Sequence, residues 1–408
     1  MQRPEAPGPL QRSGPRPLLL HLALAALRSN ISRNVSPLWN PASPNWSTQR
    51  AAIAKALRDA NAQEEFPAAV AAETLAQDNA LIAGIAAYRR HPWRRDLPEP
   101  PAIWEEGGTR LLDFLPSAPK AAKTVFFVPS LVNRAYVLDL APGRSMLRWL
   151  AGQGVRPLLL DWGWPGPIER KFSVTDYVTG RLERVLEFSK TLGSAPPVLA
   201  GYCMGGTLAV ATATLRPDLL SGLALLATPW DFHAGAPARA RRLADLLPLL
   251  EPAMALSETL PIDALQMLFA LLDPWGVAEK YRSFARLDPA SERAKLFVAL
   301  EDWLNDGIPL AAQVARECIA GWYGQNLPAR GEWRIAGQPV DPTTIRLPTF
   351  IAAPARDRIV PPESSRPLAA LIPGAIEQNP AAGHIGMVAG TTAERVLWQP
   401  FLQWLMRL

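Results

Sequence analysis

Short apolar segments alternate with helical sequence through the middle of this chain and again near its end. Such runs, bounded by turn residues, are typical of strands that are buried on both faces, and their alternation with helices is typical of a parallel sheet. The sequence therefore predicts an α/β fold with a mostly parallel central sheet and helices on both faces. The predicted strands are TVFFVP (124–129), VRPLLLDW (155–162), PPVLAGYC (196–203), LSGLALLATP (220–229) and LPTFIAAP (347–354).

The segments between the predicted strands are expected to be helical crossovers, including residues 136–154, with a break near Pro142-Gly143. A β-hairpin turning at Gly107-Gly108 is expected to precede the first parallel strand. Residues 231–330 interrupt the alternation with helical sequence and no convincing strand. The tryptophans there, Trp275, Trp303 and Trp322, would give the insertion an aromatic surface or simply belong to its core.

These patterns divide the chain into four parts. Residues 1–100 are predicted to be a mostly helical or irregular extension, 101–230 the first part of the sheet core, 231–330 a helical cap and 331–408 the second part of the core. Within the extension, the apolar segment 17–27 is interpreted as an amphipathic or buried helix, because it is too short to span a bilayer and lacks a signal-peptide cleavage site. Alanine-rich sequence from about 49 to 90 predicts two more helices, the first with Ser47 or Thr48 as its N-cap.

The composition excludes several classes of protein. Two cysteines are too few for a disulfide framework, and four histidines without Cys/His clusters make a metal site unexpected. The net charge of +5 comes from scattered arginines, so no nucleic-acid partner is expected. The denser runs at 88–95 and 239–242 are either a solvated face or a basic rim that attracts an anionic substrate such as an acyl-CoA. Few cysteines and no recognisable sorting signal favour a cytoplasmic location.

The pentapeptide Gly201-Tyr202-Cys203-Met204-Gly205 lies between a predicted strand and a predicted helix. This is the context of the nucleophile elbow G-x-S-x-G of the α/β-hydrolase fold, with cysteine in place of serine. An elbow directs its central side chain into the cleft, which favours Cys203 as a nucleophile over a buried core cysteine. Together with the helical insertion, the elbow predicts an α/β-hydrolase core with a cap.

The remaining members of a triad follow the nucleophile in the order acid, histidine. His384 lies between glycines after the last predicted strand, whereas His21 and His91 precede the sheet and His233 directly follows the strand after the elbow. Asp357 follows the predicted strand 347–354, and Glu363 is a weaker alternative.

Two backbone N–H groups are expected to form an oxyanion hole, those of Met204 at the start of the elbow helix and of Val132 in the loop after the first parallel strand. The second cysteine, Cys318, has no comparable context and is interpreted as structural.

Several segments in order resemble the polyhydroxyalkanoate synthases, particularly their shorter forms that work with a second subunit. The resemblance implies that Cys203 is the acylated nucleophile, His384 the general base and Asp357 its partner. It also implies an (R)-3-hydroxyacyl-CoA substrate, no cofactor, a second synthase subunit or a homodimer, and a polyester granule surface as a site of association. Arg358 and Pro362 depart from the family, which commonly has histidine and tryptophan there. The segments are PSLVNRAYVLDLAPGRSMLRWLAGQG, LLLDWGWPG, GYCMGGTLA, WLNDGIPLA, ARDRIVPPESS and AGHIGMVAG.

A thiol suits this chemistry because thiolates are good nucleophiles and because attack on a thioester yields another thioester. The acyl group stays activated for transfer to a hydroxyl, and repetition with a 3-hydroxyacyl group gives a polyester. The alternative is a cysteine-dependent thioesterase or ester/lactone hydrolase, whose product would be a free acid. A non-catalytic granule or scaffold protein is a third hypothesis, which an incomplete triad would have favoured.

Overall fold

The computed structural model describes residues 12–35, 52–53, 55–62, 64–119, 121–193, 195–271 and 273–408. Two compact units divide the chain, the first within Met1–Trp93 and Asp273–Asn305, the second within Arg94–Leu272 and Asp306–Leu408. The predicted cap, 231–330, is thus shared between them, because residues 273–305 belong to the first unit. The expected N-caps Ser47 and Thr48 lie outside the described residues.

An eight-stranded sheet forms the core of the second unit. The strands are β1 (Ala102–Glu106), β2 (Thr109–Asp113), β3 (Thr124–Val128), β4 (Arg156–Asp161), β5 (Val198–Tyr202), β6 (Gly222–Leu226), β7 (Thr349–Ala352) and β8 (Ile376–Gln378). Their order in the sheet is β1-β2-β4-β3-β5-β6-β7-β8, where β1 and β2 form an antiparallel hairpin, β2 pairs antiparallel with β4, and the other neighbours are parallel. The mostly parallel α/β fold is confirmed.

Burial explains the sheet order. Every residue of β3, β5 and β6 is buried, as expected for central parallel strands covered by helices on both faces. In β1, at the edge, exposed and half-buried residues mix. The hairpin between β1 and β2 turns at Gly107-Gly108 as predicted, and Gly107 has a φ of +57°, which glycine adopts without strain.

Helices cover both faces of the sheet and make up most of the insertion. Short α-helical and π-helical segments often follow one another directly. The α-helices are Leu18–Val35, Phe66–Arg90, Met146–Gly152, Glu183–Ser189, Met204–Leu215, Pro237–Ala244, Leu247–Ser257, Ile262–Ala270, Gly276–Phe284, Glu292–Asn305, Ala312–Arg316, Pro362–Ser365, Pro367–Leu371, His384–Ala389 and Gln399–Leu405, and the π-helical segments are Asp176–Leu182, Glu317–Gly324 and Glu394–Trp398.

Two predictions about local structure are corrected. The crossover after β3 is not a broken helix, since it begins with a 3-10 turn, Ala135–Leu138, and a two-stranded hairpin that turns at Pro142-Gly143 before helix Met146–Gly152 starts. A proline followed by a glycine with a φ of +69° fits a tight turn better than a helix interior. The insertion also contains a short antiparallel pair, Thr259–Leu260 with Leu310–Ala311.

The first unit has its own apolar core. Helix Phe66–Arg90 buries Leu81, Ile85 and Tyr88 against residues of Gly276–Phe284 and Glu292–Asn305. A β-carbon at Gly84 would overlap the backbone of Tyr281, so a glycine permits the close approach of these helices. None of the helices in the described ranges is long and apolar enough to cross a membrane.

Candidate active site

Cys203 lies at a sharp turn between β5 and helix Met204–Leu215. Its backbone has φ +55° and ψ −129°, a conformation that costs a non-glycine residue roughly 1–3 kcal/mol and persists only where the surroundings enforce it. Those surroundings are two hydrogen bonds: the Cys203 N–H donates to the Leu226 carbonyl at 2.9 Å, and the Gly206 N–H donates to the Cys203 carbonyl at 2.8 Å. The turn thereby places the thiol beyond the carboxyl ends of the parallel strands.

The glycines of the pentapeptide permit close backbone packing. A β-carbon at Gly201 would overlap the backbone of Gly205 and Gly206, and one at Gly205 would overlap the carbonyls of Val128 and Pro129. The elbow helix therefore lies directly against the ends of β3 and β5, and larger residues at these positions would displace it.

Asp357 and His384 follow β7 and β8, and the structure joins them by a buried hydrogen bond of 2.6 Å between Asp357 Oδ2 and His384 Nδ1. The other carboxylate oxygen, Oδ1, accepts the N–H groups of Ile359 at 2.8 Å and Val360 at 2.9 Å. The carboxylate is thus fixed by its own loop. Glu363, the alternative acid, is exposed on the following helix.

The charges at this site favour protonated His384. Burial by itself lowers the pKa of this imidazole. The negative charge of a Cys203 thiolate, the hydrogen bond that the ring donates to Asp357 and the charge of that carboxylate outweigh the effect of burial and raise the pKa to about 10. A hydrogen bond with Cys203 acts in the same direction. The structure therefore brings Cys203, His384 and Asp357 into one interacting group.

Tyr202 is a site residue that the sequence patterns did not indicate. Its ring lies against the His384 imidazole, with centroids 5.1 Å apart and planes 36° from each other, and its hydroxyl donates to the His384 carbonyl at 3.3 Å. Burial raises the pKa of the phenol, so it remains a neutral donor. The available signal was an aromatic residue at the second position of the elbow pentapeptide.

Cys203 opens into a cavity of about 110 Å³. Ser130, Val132 and Met204 line it, so both residues expected to supply an oxyanion donor border the cavity. The Val132 N–H contacts the Ser130 hydroxyl at 3.4 Å, which is long for a hydrogen bond. The other lining residues are almost all apolar: Pro229, Phe232, Leu243, Leu260, Leu265, Leu268, Phe269, Leu310, Cys318, Ile319, Trp322, Tyr323, Ile359 and Val360.

Cys318 belongs to this cavity wall, although its sequence context indicated no relation to Cys203. Burial raises its pKa well above that of a free thiol, so it is present as an uncharged, apolar group. Of the three tryptophans noted in the insertion, Trp322 lines the cavity, whereas Trp275 and Trp303 belong to the first unit.

The remaining histidines bond to backbone carbonyls: His21 to Arg16 at 3.1 Å, His91 to Pro289 at 2.9 Å and His233 to Tyr323 at 2.8 Å. Within the described part of the chain, no group of His, Cys, Asp and Glu side chains could hold a metal ion.

Comparison with known proteins is consistent with this geometry. Residues 144–391 match the model of the alpha/beta hydrolase fold family. A poly(3-hydroxyalkanoate) polymerase subunit PhaC of Haloferax mediterranei is 29% identical over 74% of this chain and 62% of its own length. The subunit of that name from Synechocystis sp. is 30% identical over 74% of this chain and 83% of its own length.

Among solved structures, an alpha/beta hydrolase fold protein from Nakamurella multipartita has a TM-score of 0.45 and 16% identity, with 73% of this chain and 95% of that chain covered. The match to the Haloferax protein spans less than two thirds of that protein's length. From the family model and the Synechocystis relative, the chain belongs to the α/β-hydrolase fold family and, within it, to the family of poly(3-hydroxyalkanoate) polymerase subunits.

Proposed function

We propose that this chain is an acyltransferase that polymerises (R)-3-hydroxyacyl-CoA into a polyester and releases CoA. The observation that carries the proposal is the placement of Cys203 at a strained elbow, beside the His384–Asp357 pair and in the lining of an apolar cavity. The names of the relatives support the same reaction.

In the first step, the Cys203 thiolate attacks the carbonyl carbon of the acyl-CoA. The bond from that carbon to the CoA sulfur breaks, the acyl group becomes a thioester of Cys203, and protonated His384 gives its proton to the departing CoA thiolate. The N–H groups of Met204 and Val132 bind the oxyanion in the transition state. Because one thioester replaces another, this step changes the free energy little.

In the second step, neutral His384 removes the proton from the hydroxyl of another 3-hydroxyacyl group. The hydroxyl oxygen attacks the Cys203 thioester, the carbon–sulfur bond breaks, and an ester forms while the Cys203 thiolate and protonated His384 return. The conversion of thioester to ester drives this step. A serine nucleophile would lose that driving force, because its first product would already be an ester.

The neighbours of the imidazole have separate roles. Asp357 holds Nδ1, which leaves Nε2 for proton transfer, and stabilises the charged ring. Tyr202 packs against the ring and bonds to the His384 carbonyl, which limits rotation of the histidine. The apolar wall excludes water, so the acyl-enzyme awaits a hydroxyl acceptor rather than being hydrolysed.

Residues 231–271 and 306–330 act as a cap that opens to admit substrate. A second synthase subunit or a second copy of the chain, and the surface of the polyester granule, are the proposed partners.

The test is the product formed from 3-hydroxybutyryl-CoA by the purified chain, alone and with a candidate second subunit. Released CoA together with insoluble polymer, identified after methanolysis by gas chromatography, supports the proposal. CoA release with free 3-hydroxybutyrate would identify a cysteine hydrolase instead. The absence of CoA release in both conditions would overturn the acyltransferase proposal.

A further inference from the structure

The loop after β3, residues 129–134, carries one expected oxyanion donor. Hydrogen bonds from two other segments hold its backbone in place. At its start, the Pro129 carbonyl accepts the indole N–H of Trp162 at 3.0 Å. Further along, the Val132 carbonyl accepts the Ile308 N–H at 3.2 Å, and Asn133 forms an isolated antiparallel bridge with Gly307. A half-exposed ion pair between Arg134 and Asp306, with a distance of 4.0 Å, also joins this loop to the segment that contains Gly307 and Ile308.

Residues 306–308, which make these contacts, have little freedom to move. Ile308 is buried. A β-carbon at Gly307 would lie 3.0 Å from Ile262 Cγ2 and 3.7 Å from Asn133 Oδ1, so the glycine lets the segment fit between the loop and helix Ile262–Ala270. The Gly307 backbone is outside the left-handed region, which makes space the reason for a glycine here.

The orientation of the Val132 amide depends on this contact. The Val132 N–H shares its planar peptide unit with the Leu131 carbonyl, whereas the contacts of the Val132 carbonyl and Asn133 fix the next peptide unit. They therefore limit the direction of the Val132 N–H through the backbone torsions of Val132. Among the residues that the structure describes, the Val132 N–H itself contacts only the Ser130 hydroxyl, at a long 3.4 Å. An oxyanion is a stronger acceptor than a neutral hydroxyl and can displace it.

We propose that residues 306–308 are positioning residues that hold the Val132 N–H in the oxyanion hole. The inference rests on the proposed function only in its use of Val132 as an oxyanion donor. Two residues later the same segment enters the pair Leu310–Ala311 with Thr259–Leu260, whose leucines line the cavity. The positioning contact is therefore continuous with the wall that an acyl group touches.

The test compares Ile308→Pro, which lacks the N–H donor, with Ile308→Val, which keeps it. Two reagents probe Cys203: p-nitrophenyl acetate, whose attack forms an oxyanion, and iodoacetamide, whose alkylation does not. In Ile308→Pro the rate of the p-nitrophenolate burst should fall by about tenfold to a hundredfold, which is a smaller decrease than the one caused by removing an oxyanion donor. The rate of alkylation by iodoacetamide should not change. Ile308→Val should resemble the wild type with both reagents.

A milder variant protects the test against misfolding. Gly307→Ala should slow the burst in the same selective way, whereas Gly152→Ala, where a β-carbon meets no atom within 4 Å, should not. Equal rates of acylation in all variants, or a parallel fall of acylation and alkylation, would overturn the inference. Because the ester probe requires no polymerisation, failure of this test is distinguishable from failure to make polymer from 3-hydroxybutyryl-CoA.

Discussion

The corner of the cavity that holds Cys203 and the apolar wall of the cavity are built in different ways. At the corner, Cys203, Asp357 and His384 follow strands β5, β7 and β8 of one hydrogen-bonded sheet. The wall comes mainly from helices of the insertion and from one two-residue strand pair. We therefore expect the corner to act through the fixed positions of its polar atoms and the wall to act through the volume that it leaves for an acyl group. Substitutions should separate the two: changes at the corner alter the rate of the chemical steps, and changes in the wall alter which substrates bind.

The largest expected effect is that of Cys203→Ser. The volume is nearly kept, so folding should be almost unaffected. A serine hydroxyl is far less acidic than a thiol, and its acyl product is an ester without the downhill step to the polymer. Polymerisation should fall by at least about a hundredfold, as on losing a positioned acid or base. The measurement is CoA release from 3-hydroxybutyryl-CoA, and retained activity would contradict the role of Cys203.

Asp357→Asn should have the next largest effect. The amide keeps the shape of the carboxylate but removes the charge that holds and stabilises the protonated imidazole. We expect kcat to fall by about a hundredfold, with KM little changed. Glu363→Gln is the matched control, since Glu363 is exposed, and a larger loss from that variant would reverse the assignment of the acid.

The titration of His384 gives a third test. Its pKa is raised above 6.5 to about 10, so its contribution to the free energy of unfolding is fully present below pH 6.5 and is lost as the pH rises toward 10. Because a Cys203 thiolate is the main raising cause, Cys203→Ala should lower this pKa. NMR of the labelled ring measures it, and the wall variant Leu268→Phe should leave it unchanged. An equal shift in both variants would contradict the separation of corner and wall.

Leu268→Phe tests the wall directly. The larger side chain takes space from the cavity, so KM for thioesters with longer acyl side chains should rise by about tenfold, while kcat with 3-hydroxybutyryl-CoA stays the same. Leu256→Phe, at a leucine that is 90% exposed, is the control. A uniform loss of kcat for all chain lengths would show that the wall does more than limit volume.

The smallest effect is expected from Cys318→Ser. This thiol borders the same cavity as Cys203, but burial raises its pKa and keeps it uncharged. Activity should stay close to that of the wild type in the CoA-release assay. A loss as large as that of Cys203→Ser would mean that a second thiol takes part in the reaction.

The sequence was most informative where local patterns determine the structure. The apolar strands and the elbow pentapeptide predict the sheet and the place of Cys203, because strand burial and close packing of glycines are local requirements. The position of His384 after the last strand follows from the order of the chain in this fold. The role of each of these residues in catalysis stays a prediction until it is tested by substitution.

Contacts between distant segments could not be predicted in the same way. The presence of Cys318 in the cavity wall and the contact of Ile308 with Val132 depend on the path of the insertion over the sheet. Helical periodicity does not encode that path. The pairing of residues 273–305 with the N-terminal helices is likewise a matter of tertiary packing.

That pairing has a consequence for biosynthesis. Helix Phe66–Arg90 leaves the ribosome well before Gly276–Phe284, against which it buries Leu81, Ile85 and Tyr88. At typical translation rates of about 5–20 residues per second, the delay is on the order of ten seconds or more. During that interval the nascent chain displays an apolar helix face without its partner. The first unit therefore cannot complete its folding until residues 273–305 have been synthesised. We expect ribosome-associated chaperones to bind the nascent chain before that point.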